Sequence, residues 1–314
     1  MRVLVYGAGG IGLYFAARLS LAGVSVTLKG RTATVAAVRR TPITIRHGSD
    51  VAVAPAVRVV DHLESEESFD AVILAVKAWQ VEEAARETAP VLASGGRLIT
   101  TQNGVDSPAH AGAHVGEDNV IAGTCVVIAR RLDASTVEYV GSDATMTLGY
   151  LAGGEADEPA RKTIAALAQA GITADWTGDI RRALWKKLAL ISSYGGVGAI
   201  SGVTVGETRA VPETRELVTT AIREAFAVAD SLGVALTDTD LDDVLHTYLH
   251  VFSPETTASM QRDLAAGLPS ELADQNGAVV RHGREQGVAT PVQATIYASQ
   301  LPRETAARER GSGS

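Results

Sequence analysis

A chain of 314 residues is longer than a single core usually grows, which predicts two domains. With 46% hydrophobic and 20% charged residues the composition is that of a well-packed globular protein, and it excludes disorder except at the ends. The formal charge of −8 leaves no basic stripe to neutralise a phosphate backbone, so nucleic acid is excluded as a bulk partner while a small anion held by local lysines is not.

The single cysteine, Cys125, rules out an internal disulfide and a cysteine-based metal cluster, and reads as a small buried hydrophobe in a reducing compartment. No basic leader precedes an apolar region, and no run of about 18 apolar residues occurs. The expectation is a cytoplasmic protein with no membrane partner.

The first 31 residues, MRVLVYGAGGIGLYFAARLSLAGVSVTLKGR, read as a βαβ unit. Residues 2–6 are an apolar run suited to a buried parallel strand, residues 12–22 have helical periodicity and stop at Gly23, and residues 24–28 form a second β-branched run. Gly7, Gly9 and Gly12 match G-x-G-x-x-G in the strand-to-helix context that gives the pattern its meaning. Gly7 allows the tight turn, Gly9 lets a pyrophosphate approach the backbone, and Gly12 lets helix and strand pack closely. The N–H groups at the helix start, around Gly10 and Ile11, then face that anion with the positive end of the helix dipole. An NAD site usually ends its second strand in Asp or Glu, which accepts from the ribose 2′-hydroxyl. Here the strand ends in Leu28-Lys29-Gly30-Arg31, so a 2′-phosphate, and hence NADP (NADPH), is the expected cofactor.

Residues 69–76 and 97–101 predict two further buried strands, and ligands of open α/β sheets bind outside the carboxyl ends of such strands. Lys77 and Asn103 follow those ends, where a nicotinamide is expected. The glutamates of ESEE, residues 64–67, read as a solvated acidic turn. Strand-like segments at 119–130 and 136–150 extend the sheet to about Tyr150, and a helix is expected at 160–170. The boundary is placed near Asp179, giving an NADP-binding Rossmann-type α/β domain over 1–178. A mainly helical substrate domain follows over 179–305, with a flexible tail over 306–314. Within the second domain, helices are expected at 214–232, 238–250, 254–266 and 269–286. A cleft between two such domains is a preferred ligand site. His246 and His250 are four residues apart, but without a Glu after His246 they read as an ordinary polar helix face rather than metal ligands.

These residues together resemble the ketopantoate reductase (2-dehydropantoate 2-reductase) family over nearly the whole chain. The resemblance rests on GAGGIG at 7–12, Arg31, VKAWQ at 76–80, QNGV at 102–105, LWKKL at 184–188, SMQRD at 259–263, Glu271 and GREQGVATP at 283–291. It implies an NADPH-dependent reductase that transfers a hydride to the carbonyl of a 2-oxo acid. The family's general acid matches Lys187, not Lys186; its lysine and asparagine near the nicotinamide match Lys77 and Asn103. Its substrate-side serine matches Ser259, and the carboxylate twelve residues on matches Glu271. Physically, hydride arrival builds charge on the carbonyl oxygen, and a lysine whose pKa is tuned by burial and a carboxylate is suited to protonate it. Lys187 with Glu271 is either such a pair or a plain inter-helix salt bridge.

The resemblance breaks after the lysine. Two family asparagines that contact substrate, on the same helix face one and two turns on, are here Ile191 and Gly195, neither of which hydrogen-bonds through a side chain. Ser192, Ser193 and Tyr194 are the nearby polar side chains, and Thr256, Thr257 and Ser259 offer hydroxyls of which any one is a candidate to face the cleft. The loss puts ketopantoate itself in doubt and suggests a more apolar 2-oxo acid, ketone or imine. A non-catalytic NADP-binding sensor is the alternative from another class. Gly195, Gly196 and Gly198 either kink the helix beside the cleft or make a helix-packing contact. A helical second domain is also the kind that supplies homodimer contacts.

Overall fold

The computed structural model describes residues 1–55, 57–141 and 144–312. They divide into two units, one of residues 1–102 with 107–180, the other of residues 103–106 with 181 onward. The main boundary thus falls two residues past the expected one, and the segment Asn103–Asp106 groups with the helical unit.

The first unit is built on runs that a parallel sheet buries on both faces. It contains β1 (Arg2–Tyr6), α1 (Gly10–Leu21), β2 (Ser25–Lys29), α2 (Thr32–Arg40), β3 (Thr44–His47), β4 (Asp50–Val53), β5 (Val57–Val60), β6 (Phe69–Leu74), α3 (Val81–Thr88), β7 (Leu92–Thr100) and α4 (Ser107–Val115). Then come β8 (Val120–Val126), β9 (Ala129–Arg131), β10 (Thr136–Tyr139), β11 (Thr145–Gly149), α5 (Glu158–Gln169) and β12 (Thr173–Trp176). Eight strands order as β12-β11-β8-β7-β6-β1-β2-β5, all neighbours parallel except β8 and β11. Tyr14, Phe15, Ala160 and Leu167 of α1 and α5 fill the core on one face, and Val81, Ala84, Ala85 and Ala111 of α3 and α4 fill the other. This is a Rossmann-type α/β unit.

The expected single sheet divides. Strands β9 and β10 leave it and join β3 and β4 in a four-stranded sheet of order β4-β3-β10-β9. The cause is local: Asp133 Oδ1 accepts from the N–H groups of Ser135 (2.8 Å) and Thr136 (2.7 Å), folding the chain into a hairpin. That hairpin lies over α1, with the Tyr139 and Tyr14 rings 5.2 Å apart.

The second unit holds α6 (Ile180–Ser201, which begins one residue inside the first unit), α7 (Val205–Ala210), α8 (Pro212–Ser231), α9 (Asp238–His246), α10 (Ser259–Ala265), α11 (Asn276–Gln286) and α12 (Pro291–Ser312). The glycines do not break α6, which runs unbroken for 22 residues. Each glycine instead admits a neighbour. A Cβ at Gly195 would lie 2.6 Å from Ala258 Cβ, one at Gly196 2.8 Å from Asn276 Nδ2, and one at Gly198 2.6 Å from Gln261 Oε1. Helix packing is therefore the reason for the run.

The helices expected at 254–266 and 269–286 start later than their periodicity suggests. Residues 254–256 instead pair with the start of α7, through Gly206 N–H to Pro254 O (2.8 Å) and Val205 N–H to Thr256 O (3.0 Å). Ser270 gives its N–H (3.0 Å) and hydroxyl (2.6 Å) to the buried Glu304 of α12. Residues 306–312, expected to begin a flexible tail, continue α12 instead. Ala307 is 2% exposed, and Arg308 binds Glu304 (2.6 Å) and the Ser270 carbonyl (3.0 Å), which ties this last stretch to the core. Residues 313–314 of the expected tail lie outside the described residues. No helix among the described residues is long and apolar enough to cross a membrane.

Candidate active site

The glycine turn joins β1 to α1. Gly7 has a φ of +112°, and a side chain there would meet the Ala75 carbonyl oxygen at 2.6 Å. A Cβ at Gly12 would fall 1.7 Å from the Gly7 carbonyl oxygen, so the close seating of helix on turn is reserved for glycine. At Gly9 nothing lies within 4 Å of the Cβ position, and the residue is exposed. The first turn of α1 carries no acidic side chain, leaving the N–H groups that follow Gly9 to an anion. These residues fit a dinucleotide pyrophosphate.

Gly30, at the end of β2, lies against Ala8, its Cβ position 3.0 Å from Ala8 Cβ, so Arg31 emerges beside the turn. Arg31 is exposed and occupies the N-cap position of α2. Lys29 is directed elsewhere: its Nζ pairs with Glu87 at 3.3 Å and lies 5.2 Å from the Tyr6 ring centre. The Tyr6 hydroxyl donates to the same Glu87, and burial together with that carboxylate pushes its pKa up. Of the two cations at the end of β2, Arg31 is thus the one presented outward.

Gln102 ties the ends of β6 and β7 by donating from Nε2 to the carbonyls of Leu74 (2.7 Å) and Val76 (3.0 Å). The Thr101 hydroxyl also donates to Leu74 O, at 2.7 Å. Half-buried Lys77 follows, its N–H 3.3 Å from Gln80 Oε1. Cys125 is buried, its thiol 3.5 Å from Thr101 O.

In the helical unit, Asn103 donates from Nδ2 to Glu271 Oε2 at 3.2 Å, and Gln275 donates to the same oxygen at 3.4 Å. Glu271 is 5% exposed. Beside it, Asp274 has one carboxyl oxygen buried without a hydrogen-bond partner, and burial plus the charge of Glu271 push its pKa up to about 6. Sequence reasoning missed Asp274, which no motif marks.

Helix α6 sorts the two lysines. Trp185, Leu188 and Ala189 enter a core with Ala225, Val228 and Val279. Lys186 Nζ pairs with Asp240 (2.8 Å) and Asp243 (3.3 Å) of α9. Asp240 is 2% exposed and also binds Arg182 (2.7 Å) and the N–H of Thr237 (2.9 Å). Burial alone would raise its pKa, yet these donors, Arg182 and Lys186 foremost, hold the carboxyl well below the usual range. Lys187 is half-buried on the adjacent face, aligned by helical spacing with Ile191 and Gly195. Ile191 packs at the edge of a cluster containing Tyr194 and Tyr248, with Phe252 also at its margin. At Gly195, Ala258 fills the direction of the missing side chain, and Ser259, the next residue, opens α10.

Ser192 and Ser193 belong to a different environment. Both are fully buried and accept from Gln293 Nε2, at 3.2 and 3.3 Å, in a network that includes Asn276. They cannot replace the missing asparagines. The His246 and His250 rings stand 5.0 Å apart, and among the described residues no group of three or more His, Cys, Asp or Glu is placed to hold a metal ion.

Comparison with known proteins adds a family to this geometry. The family model described as "Ketopantoate reductase PanE/ApbA" matches residues 3–153, and "Ketopantoate reductase PanE/ApbA C terminal" matches residues 179–300. The chain is 27% identical to a 2-dehydropantoate 2-reductase of Halobacterium salinarum, over 94% of this chain and 96% of the relative. It is 29% identical to one of Mesorhizobium japonicum, over 95% and 96%. A crystal structure of a PanE/ApbA family ketopantoate reductase from Ralstonia eutropha superposes with a TM-score of 0.88 at 25% identity, covering 98% of this chain and all of that one. With both halves matched in order and the same fold shared throughout, the chain belongs to the ketopantoate reductase family, a family of oxidoreductases acting on a carbonyl group.

Proposed function

We propose that the protein is an NADPH-dependent 2-oxo acid reductase with Lys187 as its general acid. The observation that carries the acid's identity is the sorting of the two lysines on α6. Lys186 is engaged by Asp240 and Asp243, whereas Lys187 stands on the face that leads through Ile191 to Ser259 at the head of α10.

Gly7, Gly9, Gly10, Ile11 and Gly12 hold the pyrophosphate, Arg31 the 2′-phosphate, and Lys77, Asn103 and Glu271 the nicotinamide side. When bound, the reduced nicotinamide supplies the hydride that the carbonyl carbon accepts. Lys187 polarises the carbonyl oxygen and gives it a proton, so that the C=O π bond is replaced by the new C–H and O–H bonds of an alcohol, and the lysine, left neutral, is reprotonated by solvent. Ser259 and Asn103 orient the substrate carboxylate and carbonyl by hydrogen bonds. Asn103, held by Glu271, keeps a fixed side-chain orientation for that task.

The two relatives described above are named for 2-dehydropantoate, and a 2-oxo acid is the matching substrate class. Ile191, beside the aromatic cluster of Tyr194 and Phe252, favours an acid with an apolar substituent where a hydroxyl would lack a partner. The test is NADPH oxidation, followed by absorbance, with 2-dehydropantoate and a series of apolar 2-oxo acids. Lys187→Ala is expected to lower kcat about 10²–10⁴-fold with NADPH affinity unchanged, while Lys186→Ala keeps kcat and loses stability. Turnover by Lys187→Ala at the unaltered rate refutes the assignment. Tight NADPH binding with no turnover of any carbonyl favours a sensor instead.

A further inference from the structure

Resting on the reading of the glycine turn as the cofactor site, we propose that Arg131 is a second cationic ligand of the cofactor, directed at its pyrophosphate as Arg31 is at its 2′-phosphate. Strand β9, which lies far from the turn in sequence, is packed against the start of α1. A Cβ on Gly10 would stand 2.5 Å from the Ala129 carbonyl oxygen and 3.3 Å from Arg131 N. Gly10 is therefore a glycine because this strand passes there, not only because a phosphate must approach.

The Arg131 side chain reaches back over the turn. Its Nη1 donates to the carbonyl of Ala8, the residue between Gly7 and Gly9, at 3.1 Å, and its Nε donates to Asp133 O at 2.7 Å. Two fixed acceptors hold the planar guanidinium at the rim of the turn and leave further N–H donors on an exposed side chain.

Charge separates this arginine from its neighbour. Arg130 pairs with Glu138 at 2.6 Å, as a surface arginine on a hairpin commonly does. Among the described residues no carboxylate lies within 4 Å of Arg131; its two acceptors are neutral carbonyls. The adjacent first turn of α1 has no acidic side chain either. A guanidinium and the positive end of a helix dipole are thus brought together with no protein anion to offset their repulsion. A bound pyrophosphate supplies that anion, and bidentate contact with its oxygens suits arginine geometry.

The two arginines are expected to read different phosphates, which makes the proposal separable. Dissociation constants for NADPH, NADH and adenosine 2′-monophosphate, measured by calorimetry, are compared for the unaltered protein, Arg131→Ala, Arg131→Lys and Arg31→Ala. Arg131→Ala should weaken NADPH and NADH by the same factor, about tenfold or more, and leave adenosine 2′-monophosphate, which lacks the pyrophosphate, unchanged. Arg131→Lys should recover part of the loss. Arg31→Ala should weaken NADPH and the monophosphate but not NADH. Equal weakening of all three ligands by Arg131→Ala would mean a collapsed turn and overturn the proposal, as would unchanged dinucleotide affinity. If the unaltered protein binds neither dinucleotide, the cofactor reading fails first and takes this inference with it.

Discussion

Asp240 and Asp274 are both carboxylates in the helical unit, and their surroundings push them in opposite directions. Asp240 meets Arg182 and Lys186, so its folded-state pKa lies below the unfolded value. The stability it contributes is present above the unfolded value and is lost as pH falls through the folded one. Asp240→Asn should destabilise by about 3 kcal/mol at pH 7, because two cations lose their shared partner, and the deficit should shrink as pH falls toward about 3, where the unfolded chain takes up a proton that the folded carboxylate still resists. Urea denaturation at both pH values measures it. Asp274 is buried and faces Glu271 in its own segment and Asp106, which together raise its pKa to about 6 against the opposing pull of Arg308 of α12 and Arg281 of α11. Its favourable contribution is complete below the unfolded value and is lost as pH rises through about 6. Asp274→Asn should therefore raise stability at pH 8 by on the order of 2 kcal/mol and change little at pH 4, which melting curves at the two values test. The glycine turn was legible in sequence as a strand-to-helix junction because it is written in a short local pattern, and Lys187 is proposed from a pattern just as short. Asp240 and Arg131 were not, since their partners lie tens of positions away, and neither was Asp274, whose role comes from its burial beside Glu271.

At the scale of elements, α6 sets two rules against each other. Propensity says that Gly195→Ala should stabilise a helix interior by about 1 kcal/mol. Packing says the opposite, because the added Cβ would stand 2.6 Å from Ala258 Cβ. Overpacking of this kind costs about 1–3 kcal/mol, so the melting temperature of Gly195→Ala should fall, and that of Gly195→Asn further. An increase for Gly195→Ala would mean that the α10 segment yields freely. Polarity is better restored at Ile191, whose half-buried side chain leaves room for the exchange; Ile191→Asn should raise turnover of a hydroxylated 2-oxo acid relative to an apolar one. The apolar runs of β1, β2, β6, β7 and β8 announced themselves because parallel strands are buried on both faces. Strands β3 and β4 did not, and β9 ran on from β8 as one expected segment: they are four, four and three residues long and largely exposed, and they owe their pairing to hairpins and to α1. Late starts at α10 and α11 were hidden for a related reason, since backbone pairing with α7 and the carboxylate of Glu304 capture residues whose periodicity is helical.

Across the whole molecule, the segment Asn103–Asp106 belongs with the helical unit although the chain enters and leaves it from the Rossmann-type unit. Sequence places a boundary only where composition changes, near residue 179, and a four-residue loan leaves no such trace. Its contribution is specific: Asp106 binds Arg281 (2.5 Å) and His282 (2.8 Å), and the His282 ring lies 5.8 Å from Trp185 of α6. The hydrogen bond to Asp106 raises the His282 pKa. Against the cost of its own burial, Asp106 is held below the usual carboxylate range by His282 and Arg281. For the aspartate, stability is present above its unfolded value and lost as pH falls through the folded one; for the histidine it is present below its unfolded value and lost as pH rises through the folded one. Both conditions hold together only between about pH 4 and pH 6.5. Asp106→Asn should accordingly destabilise the helical unit most near about pH 5.5 and less toward about pH 8.5, as His282 loses its proton and leaves Arg281 the charged partner. Trp185 is the one tryptophan of that unit, so its fluorescence, read in a Trp79→Phe, Trp176→Phe background, follows the unfolding of the helices alone. A loss at pH 8.5 equal to that at pH 5.5 would show that Asp106 acts only through Arg281, and no loss at either pH would show that the borrowed segment is not part of what holds the helical unit together.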